Sequence, residues 1–352
     1  MGERWALADA VDEDGSLKGE QIKSWRERGY AFVSGLLPEA LLSELRSDAQ
    51  SFYPNPEDAN VADYNHFGSN GHFVFPSDYS SANSVSLHPK LLRAVADLLG
   101  VEIAELRLTQ SDLWPKYGGN GLEDRSENRD QRIHCDYPNH TLTHPPEWDR
   151  PEAVEIIIYL SDESECQGST AVVPKRGSDD PAYRWPIVNT PGVAGSKYVD
   201  DKAKAESYMR ELNPDAADFR EKELYAREVK TRYQIGDVIF YRHDTWHRGT
   251  PVAQGALRLV QNMTFKKAAS DWVSVLHSGW AWSLYRAGHG PEKLIAELSP
   301  DQRTVLGFPP PGHDYWTEQT LEAVEARYKP FGIDMTPYYQ ALGSLNRSST
   351  LG

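Results

Sequence analysis

The sequence predicts a β-sandwich or jelly roll flanked by helices, and three observations favour this mainly β fold class. Short runs rich in β-branched and aromatic residues recur over residues 101–267, where turn-forming residues separate them. Helical patterns precede this region, over residues 15–100, and follow it, over residues 271–352. Residues 153–160 are almost wholly apolar, which is typical of a central buried strand. We therefore expect a single domain, residues 1–352, with a β core and helical additions at both ends.

The N-terminal residues 15–100 are expected to form a helical cover over this core. A first helix should span residues 16–28, and a short strand should follow at residues 30–33. Residues 38–52 are apolar at helical spacing and begin with proline, which suits the first turn of a helix. Residues 88–99 form a third pattern of this kind, so we expect three main helices here.

Polar segments interrupt these elements. Residues 54–84 are typical of a surface excursion, and a loop this long often forms a lid or a substrate wall. Residues 118–130 form a charged loop that leads into the segment around His134. Residues 175–230 are interpreted as an insertion with one helical stretch, residues 202–212.

The remaining core strands follow from apolar and β-branched runs. They are expected over residues 101–113, around His134, and over residues 170–174, 238–241 and 257–265. The C-terminal extension is helical and aromatic, with helices near residues 291–298 and 318–328.

Composition limits the class of protein. The formal net charge of −15, from 52 acidic and 37 basic residues, argues against nucleic acid as a partner. It also disfavours, without excluding, a polyanionic substrate such as a coenzyme A thioester. Two cysteines cannot supply a disulfide framework, and neither a signal peptide nor a membrane-spanning run is evident in the sequence. We expect a soluble cytoplasmic protein that binds a small molecule; the oligomeric state is not readable.

One motif carries metal-binding chemistry. His134 and Asp136 stand two residues apart, and such residues project from the same face of a strand. A second imidazole, His247, follows the apolar run at residues 238–241. Two histidines and one carboxylate form the facial triad of non-haem iron(II) oxygenases, which leaves coordination positions open. The pair at residues 134 and 136 is common by chance, so the interpretation depends on the rest of the chain.

His243 and His247 lie four residues apart with Asp244 beside the first, which resembles a zinc-protease helix motif. That motif requires a helix, whereas a strand-like run precedes this segment and Gly249 and Pro251 interrupt it. We therefore disfavour a protease.

Arg258 lies eleven residues after His247, within an apolar run on the expected returning strand. A buried, unpaired cation is costly, so this guanidinium is expected to meet a specific partner. Its fork of donors matches a carboxylate in bidentate geometry, and a dicarboxylate co-substrate needs such an anchor.

Together these residues resemble the phytanoyl-CoA dioxygenase family of Fe(II)- and 2-oxoglutarate-dependent oxygenases, over most of residues 21–267. The resemblance is carried by residues 29–36, 134–136, 168–174 and 236–237, and by His247 and Arg258. It implies a double-stranded β-helix core, that is, a cupin-like jelly roll. It also implies His134, Asp136 and His247 as iron ligands and Arg258 as the anchor of the 2-oxoglutarate C5 carboxylate.

The implied reaction is hydroxylation of an unactivated C–H bond, with O₂ consumed and succinate and CO₂ as co-products. Related halogenases carry a small residue in the place of Asp136, so a carboxylate there disfavours chlorination. Desaturation and ring formation stay open, as does the substrate: an acyl-CoA, an amino acid or a natural-product intermediate.

Other positions are weaker candidates. Family members often carry a hydroxyl residue two positions after the distal histidine, where this chain has Gly249, so Thr250 is the expected substitute. Pro174 is followed by Lys-Arg-Gly in place of the family's common Gly-Ser-His, so the substrate side is expected to differ. The candidates for contact with 2-oxoglutarate are Thr250, Gln110 and Thr141, each with a plain structural role as the alternative. The candidates for contact with substrate are Arg132, Tyr137, Trp246, Arg248 and C-terminal aromatics such as Trp280.

The alternative from another class is a cupin-like metal-binding protein, a sensor or structural module without oxygenase activity. Arg258 discriminates between the two, because it has no evident purpose without a dicarboxylate.

Overall fold

Two β-sheets face each other at the centre of the protein. The computed structural model describes residues 4–58, 61–64, 72–118, 130–184, 190–270 and 288–349. The strands are β1 (Trp5–Leu7), β2 (Asp9–Ala10), β3 (Tyr30–Ser34), β4 (Leu106–Tyr117), β5 (Ala153–Tyr159), β6 (Thr170–Val172), β7 (Val229–Arg232), β8 (Val238–Tyr241), β9 (His247–Gly249) and β10 (Leu257–Lys267). One sheet has the order β2-β3-β8-β5-β10-β4, and the other has the order β1-β7-β6-β9.

The inward faces of the two sheets share a core. On each strand, every second side chain points to the same face of the sheet. On β3, β5 and β8 the side chains of the inward face, such as Phe32, Ile157 and Ile239, pack in one cluster with Val172 of the smaller sheet. The Tyr159 hydroxyl donates to Thr170 Oγ1 over 2.7 Å and so bridges the sheets. This alternation directs every second residue of these strands into the space between the sheets.

The outward face of the larger sheet is covered by helices. The side chains that point to this outward face, such as Ile156, Ile158 and Phe240, pack against apolar residues of the N-terminal helices. The α-helices, in chain order α1 to α13, are Gly19–Arg28, Glu39–Phe52, Val61–Tyr64, Ser80–Ser86, Pro89–Leu99, Tyr137–His140, Glu163–Cys166, Lys202–Leu212, Pro214–Phe219, Gly290–Glu297, Pro300–Val305, Glu318–Tyr328 and Thr336–Ser349. None of the helices in the described part of the chain is both long and apolar enough to cross a membrane.

The strand and helix predictions agree with the structure where hydrophobic periodicity was strong. β3, β5, β8 and β10 fall on the expected runs, and the predicted helices at residues 16–28, 38–52 and 88–99 are α1, α2 and α5. The description "mainly β" needs correction, because the described residues in helices outnumber those in strands. The helices lie mostly in the N-terminal cover, the insertion and the C-terminal extension.

The segment around His134 differs most from the sequence-based expectation. It is not a strand; it makes isolated bridges, Gln131 to Asp201 and His134 to His247. The excursion at residues 54–84 contains α3 and α4 in addition to loop. Residues 119–129 of the predicted charged loop (118–130) and the segment 271–287, which includes Trp280, lie outside the described residues.

The C-terminal extension packs a second aromatic core against the chain that follows Asp136. Phe308, Trp316 and Tyr338 form this cluster together with Leu142 of the central region. Arg327 donates to the carbonyl oxygens of Thr141 (2.8 Å) and Pro138 (3.0 Å), which fixes the extension to the core.

Candidate metal centre

Three side chains converge where β9 begins. His134 and His247 exchange two backbone hydrogen bonds, of 2.9 and 2.8 Å, so their side chains are held next to each other. His134 Nε2 lies 3.5 Å from Asp136 Oδ1, and His247 Nε2 lies 3.2 Å from Asp136 Oδ2. One ligand atom from each residue lies within 4.8 Å of the other two. This set can hold one metal ion.

Both imidazoles are oriented by the same local contact. His134 Nδ1 lies 3.1 Å from the carbonyl oxygen of Arg132, and His247 Nδ1 lies 3.0 Å from that of Thr245. A carbonyl only accepts, so each Nδ1 carries a proton, and each Nε2 is the atom left to bind a metal. Both Nε2 atoms face the Asp136 carboxylate, as a metal ligand set requires; burial alone would lower the pKa of His247, but Asp136 raises it.

The carboxylate is fixed from behind by β8. The Tyr241 hydroxyl donates to Asp136 Oδ2 over 3.1 Å, within the buried interior. The backbone N–H of Asp136 donates to the carbonyl oxygen of His243 over 3.0 Å. Asp136 is therefore held on both sides before any ion binds.

The electrostatics of the triad favour a bound cation. Burial alone would raise the pKa of Asp136, but His247 and His134 hold that pKa well below its usual range. Burial and the neighbouring His247 lower the pKa of His134. At neutral pH Asp136 is thus a buried carboxylate beside a neutral His134, and a divalent metal would compensate its charge.

Arg258 projects from β10 into the same cavity. Its guanidinium is buried, its Nη1 donates to the carbonyl oxygen of Gly168, and its Nε has no partner among the described residues. Lys116 is its cross-strand neighbour on β4, and the Lys116 ammonium donates to the Thr250 carbonyl over 3.0 Å. Two cations at one end of a cavity suit a dicarboxylate.

One cavity joins these groups. Its wall includes the three triad residues and Arg258 together with two of the predicted candidates, Gln110 and Arg248. Arg248 is engaged by Glu228 through bonds of 2.7 and 2.8 Å and also by Asp130. Gln110 donates to Asp112 over 2.9 Å.

Arg132 lies elsewhere than expected. Its guanidinium is bonded to Asp200 over 3.1 Å and stacks 4.6 Å from the Tyr198 ring centre, and it is not part of the cavity wall. The expectation relied on strand alternation, and residues 131–136 are not a regular strand. Asp200 compensates the charge of Arg132, so we do not propose Arg132 as an anion anchor.

Four further candidates also lie outside the cavity wall. The Trp246 indole donates to the Ala182 carbonyl over 2.6 Å and packs in an apolar cluster that also contains Tyr137. The Thr250 hydroxyl donates to the Ser169 carbonyl, and the Thr141 hydroxyl donates to the Tyr137 carbonyl. The structure thus places these side chains in local packing and hydrogen bonding.

The Gln131 side chain lies beside Gly249, two positions after His247. A Cβ at this position would lie 2.5 Å from Gln131 Oε1, and the Gly249 N–H already donates to that oxygen over 3.0 Å. The Gln131 side chain therefore occupies the space that a longer residue at position 249 would need.

Sequence reasoning missed several residues of the cavity wall: Lys116, Glu155, Tyr241 and Asn262. Glu155 had a readable signal, since it is the one charged residue within the apolar run at residues 153–160. His243, rejected as a zinc-protease ligand, contacts Glu155 at 2.6 Å.

The family model described as Phytanoyl-CoA dioxygenase (PhyH) matches residues 25–259. None of the curated proteins is significantly similar to this chain in sequence.

Three solved structures are similar to this chain at low sequence identity. EvdO2 from Micromonospora carbonacea var. aurantiaca is 14% identical with a TM-score of 0.49, over 74% of this chain and 94% of that one. The non-haem α-ketoglutarate-dependent carbocyclase SnoK from nogalamycin biosynthesis is 17% identical with a TM-score of 0.48, over 73% and 87%. The epimerase SnoN, in complex with Fe³⁺, α-ketoglutarate and a nogalamycin compound, is 16% identical with a TM-score of 0.45, over 71% and 83%.

Proposed function

The chain belongs to the phytanoyl-CoA dioxygenase family, and from this premise we propose that it is an Fe(II)- and 2-oxoglutarate-dependent dioxygenase that hydroxylates a small-molecule metabolite. The observation that carries the proposal is one cavity that holds both a two-histidine, one-carboxylate triad and a buried arginine. The triad fits iron(II), and the cationic end with Arg258 fits the far carboxylate of 2-oxoglutarate.

The residues of the chain have separate roles in this mechanism. His134 and His247 present Nε2 lone pairs, and Asp136 supplies the negative ligand that Tyr241 keeps in place. Arg258 orients 2-oxoglutarate by its C5 carboxylate, and Lys116 adds positive charge at that end of the cavity. When bound, iron(II) and 2-oxoglutarate supply the oxidising chemistry with O₂, which yields succinate and CO₂.

Hydroxylation is the expected outcome because Asp136 occupies the ligand position that a halide would need. The walls of the cavity are largely buried, so they limit the access of water to the reacting centre. The substrate is a small molecule: the net charge of −15 disfavours the nucleotide phosphates of an acyl-CoA.

We also infer that the two facing sheets form a double-stranded β-helix and that residues 1–352 are one domain. Limited proteolysis should leave one resistant core from the β region. Two separately stable fragments would contradict the single domain.

Anaerobic titration with Fe(II) and 2-oxoglutarate tests the function directly. The protein should develop the visible charge-transfer absorption of chelated 2-oxoglutarate, and His134→Ala should abolish it. Arg258→Ala should raise the 2-oxoglutarate concentration needed, whereas Arg93→Ala, at a half-exposed side chain of α5, should not.

A colourless protein without oxygen-dependent succinate formation would contradict the proposal. That result would favour the cupin-like metal-binding protein without oxygenase activity, in which Arg258 would have no dicarboxylate to bind.

A further inference from the structure

The cavity has a second end, which is chemically different from the end at Arg258. On the inward face of β10, Arg258 pairs with Lys116, and Thr264 pairs with both Gln110 and Glu155. Arg258 and Thr264 are six residues apart, which corresponds to about 20 Å along an extended strand. The far end is therefore well separated from the place of the 2-oxoglutarate carboxylate.

Glu155 is the carboxylate that β5 contributes to this far end, and one of its oxygens lies within 4.8 Å of ligand atoms of Asp136 and His140. Its side chain is buried, and its Oε2 accepts a hydrogen bond of 2.5 Å from the Thr264 hydroxyl. His243 Nδ1 forms an ion pair with Glu155 Oε1 at 2.6 Å, and His140 Nε2 lies 3.9 Å from the same oxygen. A carboxylate oxygen has two lone pairs, so Glu155 Oε1 keeps one further position that can accept a hydrogen bond.

Two amides near this end are also unsatisfied. Asn139 Oδ1 and Asn262 Nδ2 are buried atoms without a hydrogen-bond partner among the described residues, and both side chains belong to the cavity wall. A buried polar group left without a partner is costly, and here two such amide atoms belong to the wall of one cavity. A bound ligand is the partner that would satisfy all of them at once.

The polarity of these groups restricts the ligand. The oxygen and nitrogen of each Asn can exchange places by a flip of the amide, but a carboxylate can only accept. An apolar chain at this end would leave the remaining acceptor position of Glu155 Oε1 and the two amide atoms without partners, and an anionic group would meet the carboxylates of Glu155 and Asp136. A donor-bearing group avoids both costs.

We propose that the substrate presents a hydrogen-bond donor, a hydroxyl or a protonated amine, to Glu155 at the end of the cavity opposite Arg258. The substrate class is then a small polar metabolite, a polyol or an amine, and not an apolar acyl chain. This inference rests on the proposed function, because it takes the Arg258 end to be filled by 2-oxoglutarate.

The test measures binding to the anaerobic Fe(II)–2-oxoglutarate protein by calorimetry and by change of its visible absorption. Glucose and myo-inositol represent hydroxyl donors, glucosamine and 1,4-diaminobutane represent ammonium donors, and octanoate and octanoyl-CoA represent apolar chains. We expect a donor-bearing compound to bind and the two octanoyl compounds to fail.

Two variants link such binding to Glu155. Glu155→Gln keeps the size and removes the charge, so it should weaken an ammonium ligand about tenfold or more and a hydroxyl ligand only a few-fold. Glu155→Asp keeps the charge but moves the carboxylate back by one methylene group, so it should weaken the binding of both ammonium and hydroxyl ligands. Glu165→Gln, at an exposed glutamate of α7, is the matched control and should leave binding unchanged.

The outcomes are distinguishable. If the visible absorption never forms, the proposed function fails. If it forms, the inference is overturned by binding of the octanoyl compounds alone, by no binding of any donor-bearing compound, or by equal binding to wild type and Glu155→Gln. Two metal ions per chain would also overturn it, because Asp136, His140 and Glu155 would then form a second metal site.

Discussion

At the scale of single residues, the metal centre depends on side chains whose orientation is fixed before an ion arrives. Each histidine is oriented by the carbonyl oxygen two residues upstream, at Arg132 and at Thr245. The acceptor in each contact is a backbone oxygen, which any residue can supply, so the contact leaves no sequence signature. The Asp136 carboxylate, by contrast, depends on one specific side chain, Tyr241. Tyr241 is therefore the most informative neighbour of the ligand set to change.

We predict that Tyr241→Phe weakens Fe(II) binding about 10- to 100-fold, the usual effect of losing a hydrogen-bond partner of a metal ligand. The aromatic ring remains, so packing against His247 is kept. Anaerobic metal titration measures the dissociation constant, and Tyr339→Phe, at an exposed tyrosine bonded to Glu325, is the control. Equal affinities in wild type and Tyr241→Phe would contradict the role of this hydroxyl.

The residues that sequence reasoning identified and those that it missed differ in a physical way. Chemistry and spacing made His134, Asp136, His247 and Arg258 candidates, and the structure brings them to one cavity, because facial triads and buried guanidinium groups demand particular side chains. Glu155 was missed because it sits in an apolar run whose pattern predicted only a buried strand. Sequence spacing does not reveal which strand residues face the cavity, since that depends on the pairing of distant strands.

At the scale of elements, the insertion at residues 175–230 supports the segment that carries His134. The Ile133 N–H donates to the Tyr225 hydroxyl over 3.0 Å, and the buried Arg220 donates to the Ile133 carbonyl over 3.0 Å. Glu206 accepts from both Arg220 and Tyr225. Side chains of the insertion therefore replace the neighbouring strand that this segment lacks.

We predict that Tyr225→Phe lowers both stability and metal affinity. The Ile133 N–H would lose its partner, which costs about 1–3 kcal/mol, and the neighbouring His134 would lose support. Thermal unfolding and metal titration measure the two effects. The matched control is Tyr208→Phe, because the Tyr208 hydroxyl also accepts from a backbone N–H, that of Lys197, but at an exposed site within the insertion.

Equal losses in Tyr225→Phe and Tyr208→Phe would show that the insertion stabilises only itself. A loss of stability with unchanged metal affinity would separate the insertion from the metal centre.

The element around His134 could not have been predicted correctly from its sequence. Its residues alternate in character as in a strand, and the expectation for Arg132 followed from that alternation. The insertion overrides it, since Asp200 binds both the backbone N–H of Arg132 (2.7 Å) and its guanidinium. Contacts between residues nearly 70 positions apart are absent from any local pattern.

At the scale of the whole molecule, helical additions cover the β core from two directions. The N-terminal helices pack on the outward face of the larger sheet, as amphipathic spacing predicted. The C-terminal extension was predicted to be helical, but its docking on residues 138–144 through Arg327 and Tyr315 was not. Those contacts use backbone carbonyl oxygens as acceptors, which carry no residue-specific signal.

The whole-molecule stability should also depend on pH through Asp237, in the turn before β8. Burial raises the pKa of this carboxyl to about 6, although the Gln234 N–H donates to it over 2.8 Å. The folded state therefore holds this proton more tightly than the unfolded chain, whose ordinary value is about 4. The contribution to stability is fully present below about pH 4 and is lost as the pH rises to about 6.

We predict that Asp237→Asn is more stable than wild type at pH 7 and that the difference shrinks on acidification and vanishes below about pH 4. The amide oxygen can still accept from the Gln234 N–H, while the cost of a buried charge is removed. Urea unfolding at pH 4, 5, 6 and 7 measures the difference, with Asp179→Asn, at an exposed aspartate, as the control. A stability difference that stays constant with pH would show that Asp237 titrates normally, and the excess negative charge of the chain would then have to account for any loss of stability at high pH.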